Sequence, residues 1–262
     1  MNLSMSRIRG VFYRYFFTIK DFHQLSDLFY WPIVDILLWG LTSMWIQQQQ
    51  TQISLLPLIL MTGLIFWQIT WRGSIGISFH LLQEFWHRNL VNLFSTPLKL
   101  SEWILGTLFL SVVKLFISAA FGILFVYILY SLNVFQIGWA FVPFAMLLFI
   151  FGWTIGFISS GMIIYWGHKV EMFAWMLPFL FAPFCAVFYP VEILPKWAQF
   201  ISWSLPPTYV FEGMRHILDG QSFPWKDFWI SFALNIVYLA ASILFFKKMF
   251  DKSLVKGLAR LE

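Results

Sequence analysis

Apolar positions run along this chain in long blocks, with short polar stretches between them. A membrane-spanning helix needs about 20 mostly apolar residues. Six blocks meet that need, at 27–46, 55–79, 103–130, 137–165, 171–189 and 225–246. The first ends at four consecutive glutamines, 47–50, and only 131–136 separate the third from the fourth. Residues 115–167 contain no Asp, Glu, Lys or Arg. The predicted fold is an all-α integral membrane protein with six transmembrane helices, and residues 1–262 form a single transmembrane domain.

Three further segments have patterns of their own. At 6–24, Ile8, Val11, Phe12, Tyr15, Ile19 and Phe22 recur at helical spacing, with Arg7, Arg14 and Asp21 on another face. This predicts a helix lying in the membrane interface rather than a loose tail. Charges interrupt any apolar core there and no small-residue cleavage site follows, so it does not read as a signal peptide. At 80–97, Leu82, Phe85, Trp86, Leu90, Leu93 and Phe94 form an apolar stripe, Glu84 and Arg88 stand i, i+4 on the expected exposed side, and Pro97 stops the helix. Such a helix either rests on lipid headgroups or docks a partner that supplies energy.

The third segment, 190–220, follows twenty uncharged residues, 172–191. It is rich in aromatics yet holds Pro190, Pro195, Pro206 and Pro207 together with Glu192, Lys196, Glu212 and Arg215. No straight span passes through it. Broken backbone at membrane depth is tolerated only where protein buries it or it lines a cavity. The expected form is a pair of short re-entrant helices. Pro195 opens the first, Pro206-Pro207 separates the two, and Thr208 caps the second. Glu212 and Arg215 are close enough in sequence to pair. Trp197, Trp203 and Tyr209 suit an interface belt. The plainer alternative is an extracellular loop, which would seldom be this apolar.

Composition narrows the class. Charged residues are 11% of the chain against about 25% in soluble domains, while 60% are hydrophobic and 21% aromatic. The single cysteine, Cys185, excludes an internal disulfide. The net charge of +5 does not indicate nucleic acid, because the basic residues follow the membrane instead of forming a patch. With both termini cytoplasmic, thirteen Lys and Arg fall on the inner side: Arg7, Arg9, Arg14 and Lys20, then Arg72, Arg88 and Lys99, then Lys169, and finally Lys247, Lys248, Lys252, Lys256 and Arg260. Only Lys196, Arg215 and Lys226 fall outside, which sets the expected orientation.

No constellation for covalent chemistry stands out. The chain has no GxxxxGK[ST] phosphate loop, no GxSxG elbow and no HExxH pair. His80 and His87, seven apart, lack accompanying carboxylates and read as structural or surface residues. Ionisable groups inside spans are costly and usually have a task. Asp35, Arg72 and Lys114 are the three here, and the expectation is that Asp35 pairs with Lys114 or Arg72. Such a pair either fixes helix packing or breaks as the protein changes state.

Two stretches carry a family resemblance. Residues 84–106, EFWHRNLVNLFSTPLKLSEWILG, hold a glutamate, a Leu-x-x-Leu run, Thr-Pro and a following Gly. Residues 188–220 hold Tyr189-Pro190, Leu194-Pro195-x-Trp197, Leu205-Pro206 and Glu212-x-x-Arg215. In this order, along nearly the whole chain, they resemble the type-2 ABC export permeases. One departure is Arg88-Asn89, where many members have Gly-Thr. The resemblance implies a half-transporter in which two copies pair in the membrane. Two separate ATPase subunits would then dock on a coupling segment that includes Glu84, Phe85, Arg88, Leu90, Leu93 and Pro97. ATP and Mg would belong to those partners, no cofactor to this chain, and a bacterial plasma membrane is the expected location. The rival readings are an intramembrane lipid-modifying enzyme, which requires a convergent polar cluster within the spans, and a passive scaffold subunit.

Overall fold

The computed structural model describes residues 3–20, 22–49 and 55–257. Asp21, Gln50 and Arg260, which enter the sequence reading, lie outside the described residues. Among the described residues every regular element is helical. Helix α1 (Met5–Phe16) leads through a 3-10 turn to the four-residue α2 (Phe22–Leu25). One turn of π geometry, Ser26–Tyr30, then enters α3 (Trp31–Gln49). Next come α4 (Leu56–Trp86), the six-residue α5 (Leu90–Ser95) and α6 (Leu100–Tyr130). A 3-10 segment, Val134–Ala140, precedes α7 (Phe141–Trp166). The rest of the chain forms α8 (Phe173–Phe181), α9 (Lys196–Ser204), α10 (Pro206–Leu218) and α11 (Trp225–Lys256).

Among the described residues four stretches are long and apolar enough to cross a membrane: Ser26–Gln49, Leu100–Tyr130, Val134–Trp166 and Trp225–Lys256. The other two expected spans differ for physical reasons. Helix α4 has 31 residues, about 46 Å at 1.5 Å per residue, so length is not its limit. It carries Gln68, Arg72, His80 and Glu84, and nearly all of it is buried against α3, α6, α7 and α8. A helix shielded on all sides has no lipid-facing surface to keep apolar. It also runs on past residue 79, so the first third of the expected 80–97 helix is the end of α4. Helix α8 has only nine residues, and its span is broken by Pro178 within it and Pro183 in the following turn, Ala182–Cys185. The 171–189 block is therefore a short helix plus a break.

Close packing of α4 on α7 rests on glycine. A methyl on Gly152 would stand 2.3 Å from the Thr70 carbonyl oxygen, and one on Gly156 would stand 2.7 Å from that of Ser74. Small residues four apart let two helix backbones touch, which is how helices associate where lipid removes the hydrophobic drive. Gly106 does the same for α1, since a methyl there would meet Val11 Cγ1 at 2.6 Å. Helix α1 thus lies across the start of α6. Ile8, Val11 and Tyr15 are buried there, while Tyr13, Phe17 and Phe22 stay exposed. Part of the aromatic stripe therefore packs on protein rather than on lipid.

Candidate functional site

At the end of α4, Glu84 is 1% exposed and accepts hydrogen bonds from four donors. Arg14 Nε and Tyr15 Oη reach Oε1 at 3.0 and 2.6 Å, and Arg14 Nη2 and Asn89 Nδ2 reach Oε2 at 2.9 and 2.7 Å. Trp103 Nε1 donates to the Tyr15 hydroxyl at 2.9 Å. Burial and the Glu84 carboxylate push the Tyr15 phenol well above its ordinary pKa, so it remains a donor at any physiological pH. The exposed Glu84–Arg88 pair expected from spacing is thus corrected. Glu84 faces inward because α4 continues through it, and the helix ends at His87.

A second clamp lies alongside. Glu102, in the first turn of α6, accepts from Arg7 Nε and Nη2 at 2.7 and 2.8 Å and from the backbone N–H groups of Ser4 and Lys99. Two of the three arginines of α1, Arg7 and Arg14, therefore hold carboxylates of the bundle in two-pronged fashion. Between the clamps runs the turn 87–89, followed by α5. Arg88 has φ 48°, a left-handed conformation that Gly adopts without cost. Phe85, Leu90 and Leu93 face the core, whereas Trp86, His87, Arg88, Asn92 and Ser95–Pro97 are exposed.

In the outer segment, side chains satisfy the backbone of a break. Ala186 has φ 56°, and it and Val187 are fully buried. Arg215 Nη2 donates to the Ala186 carbonyl at 2.8 Å. Ser202 Oγ and Thr208 Oγ1 both donate to the Phe184 carbonyl. Glu212 accepts from the Val191 N–H at 2.7 Å and pairs with Arg215 at 3.0 Å. Tyr189 and Tyr209 donate to the carbonyls of Pro183 and Trp203, each at 2.7 Å. Buried peptide groups must be paired, and here polar side chains supply what a helix would have supplied. Two expectations change. Pro206 and Pro207 begin α10 instead of lying between helices, and Thr208 bonds backward to carbonyls instead of capping. Pro195 is the N-cap of α9, Pro190 precedes the 3-10 turn that holds Glu192, and Trp197 is 64% exposed.

Within the bundle the expected pairing of Asp35 is corrected. Arg72 binds the carboxylate and carbonyl of Asp27, in the π turn, and reaches Ser118 Oγ at 3.2 Å. Lys114 Nζ donates to Gln24 Oε1 and lies 3.4 Å from His80 Nε2, whose Nδ1–H donates to the Gly76 carbonyl. Asp35 is about two turns beyond Asp27 and lines a cavity of about 570 Å³ between α3, α4 and α8.

A profile of the ABC-2 type transporter family matches residues 16–218. The chain belongs to this family. It is an ABC transporter permease, a multi-pass membrane protein. No curated protein matches it significantly. The family match covers both clamps' carboxylates, the broken outer segment and the cavity.

Sequence reasoning missed Gln24 and Asp27 in this permease, and with them the real partners of Lys114 and Arg72. The available signal was Asp27 itself, an acidic residue at the mouth of the first span. Arg72 pairs with Asp27 and Lys114 bonds the Gln24 amide, while Asp35 stands apart from both. His80 meets a carbonyl and an ammonium, and among the described residues no carboxylate reaches it. That arrangement gives no acid–base dyad for the enzyme reading.

Proposed function

We propose that this permease is the membrane half of an ATP-driven exporter. Two copies pair in a plasma membrane with both termini in the cytoplasm, and separate ATPase subunits dock on the segment 86–97. The observation that carries this reading is the pair of clamps around that segment. Its exposed face, with Trp86, Arg88, Asn92 and Pro97, sits on a short helix whose inner residues are core. Four charged side chains fix the helix ends on either side. A surface that is to receive force from a partner needs such rigid backing. Lipid headgroups do not, so the headgroup-resting alternative leaves the clamps without a purpose. Closure of the ATPases on ATP would push α5 and move α4 and α6 together, because Glu84 and Glu102 tie both to α1. Two-state motion of this kind is the family's expected route between inward-facing and outward-facing forms.

Cysteine cross-linking tests the docking. The native thiol, Cys185, is fully buried, so a cysteine placed at the exposed Asn92 provides a single reactive site. In native membranes N92C is expected to cross-link to a soluble subunit bearing a GxxxxGK[ST] loop, and a cysteine at the exposed Trp229 is not. Equal capture at both positions, or capture at neither, overturns the assignment.

A further inference from the structure

The cavity between α3, α4 and α8 contains a carboxylate with nothing in the protein to bind. Gln68 contributes to the wall, but its amide is enclosed beside Gly122 of α6. Among the described residues no hydrogen bond or ion pair reaches the Asp35 carboxylate, which lines the same space one helix away. Buried polar groups left unsatisfied in a native structure call for an explanation, and a charge within a membrane span normally has a partner. Asp27 and Arg72 also line the cavity but neutralise each other, so Asp35 is left as its unbalanced charge.

The remaining wall is aromatic. Trp31, Trp39, Trp67, Trp71 and Trp175 all border it. Trp39 stacks on Phe188 with centroids 4.2 Å apart, and Trp71 lies 5.0 Å from Phe179. Indole is the best cation–π acceptor among side chains. A volume of about 570 Å³ lies within the range of small-molecule sites. An anion would meet the Asp35 carboxylate and electron-rich ring faces. A neutral apolar molecule would leave Asp35 unpaired.

The geometry points to this cavity as a binding site for a lipophilic organic cation, its positive centre facing Asp35 and its apolar body against the tryptophans. This rests on the permease reading and names the class of cargo at that site. The natural ligand carries a delocalised or quaternary positive charge on an aromatic or branched frame. Such a charge is weakly hydrated and gives up little on leaving water.

The test is direct binding to the purified full-length permease in lipid nanodiscs without nucleotide, using tetraphenylphosphonium and its near-isosteric anion tetraphenylborate. Tetraphenylphosphonium is expected to bind saturably and to quench tryptophan fluorescence, with tetraphenylborate at least about tenfold weaker. Asp35→Asn is expected to weaken the cation about tenfold or more and to leave the anion unchanged or tighter. Should Asp35→Asn fail to fold, Trp31→Leu serves. Trp31 is 57% exposed at the cavity rim, and its loss is expected to weaken the cation about threefold. Equal binding of both ions, or Asp35→Asn with unchanged cation affinity, overturns the proposal. So does saturable binding that is seen with anionic lipid and lost in zwitterionic nanodiscs, since the lipid headgroups would then hold the cation. Capture of an ATPase without cation binding would remove this ligand class alone. Cation binding without any ATPase would instead remove the transporter reading.

Discussion

Replacing Glu84 tests the inner clamp most sharply, because the geometry dictates how even a conservative variant must fail. Two donors converge on each carboxylate oxygen. Glutamine has one oxygen and one NH2 group, so either orientation sets a donor against two donors. The cheaper orientation puts NH2 at the Oε2 position, where Asn89 can turn its own amide. Arg14 Nη2 then loses its acceptor, but the Arg14 side chain is 45% exposed and water can take its place. We expect Glu84→Gln to cost about 1–2 kcal/mol. Glu84→Ala also strips the acceptor from the buried Tyr15 phenol and leaves a small void, for about 2–5 kcal/mol in all. The assay is thermal unfolding of the purified permease in one detergent, with Arg14→Gln completing a double-mutant cycle. Glu84→Ala is expected to melt on the order of 5–10 °C below wild type. The Glu84→Gln and Arg14→Gln losses should fall short of additivity by about 1 kcal/mol. Additive single losses, or an Ala variant that melts with wild type, would refute the clamp.

Other outcomes follow from single observations. Arg88→Gly relieves a left-handed backbone and is expected to raise the melting temperature slightly, by up to about 1 kcal/mol in stability, whereas Arg88→Val should lower it. Gly152→Ala forces α7 away from α4 and should lower the yield of folded, monodisperse protein, while Gly10→Ala, with open space around the new methyl, should be neutral or stabilising as judged by the same elution profile. Arg215→Met leaves the Ala186 carbonyl without its donor and Glu212 without its cation, and is expected to destabilise by about 2–4 kcal/mol, with the loss read from the same melts. Cys185 should resist maleimide in the folded permease and label fully in denaturant, since its side chain has no solvent contact.

Much of the helical plan was legible because apolar periodicity reports which surfaces must leave water. Helix α6 covers the expected 103–130, and α11 starts at the expected 225 but runs ten residues past 246, to Lys256, while the break begins at 186, inside the expected fifth span. Other features depend on what a helix packs against, and local pattern does not carry that. Helix α4 reads like a lipid-facing span up to residue 79 and then like a separate amphipathic helix. In the fold it is one buried hub, and Glu84 on its supposed exposed side is as enclosed as Glu102. The charge partners failed for a similar reason. Asp35 and Asp27 are two turns apart on one helical stretch. Only the π turn at Ser26–Tyr30 and the placement of α6 decide that Arg72 meets Asp27 and leaves Asp35 to the cavity. The 190–220 motif was recognised as a broken segment, and Glu212 and Arg215 do pair. What local pattern did not show is that Glu212, Arg215 and Thr208 also satisfy the peptide groups that the break exposes.

The central claim is that this permease works as one part of a split, ATP-driven assembly. Gentle purification of the tagged full-length chain from its native host, with the stoichiometry of everything that accompanies it, tests this most directly. The account requires an equimolar soluble subunit with a GxxxxGK[ST] loop, lost when Trp86 and Pro97 on the exposed face are both replaced by charged residues. A permease that emerges alone from several mild detergents, or a partner that stays bound to that double variant, would contradict it.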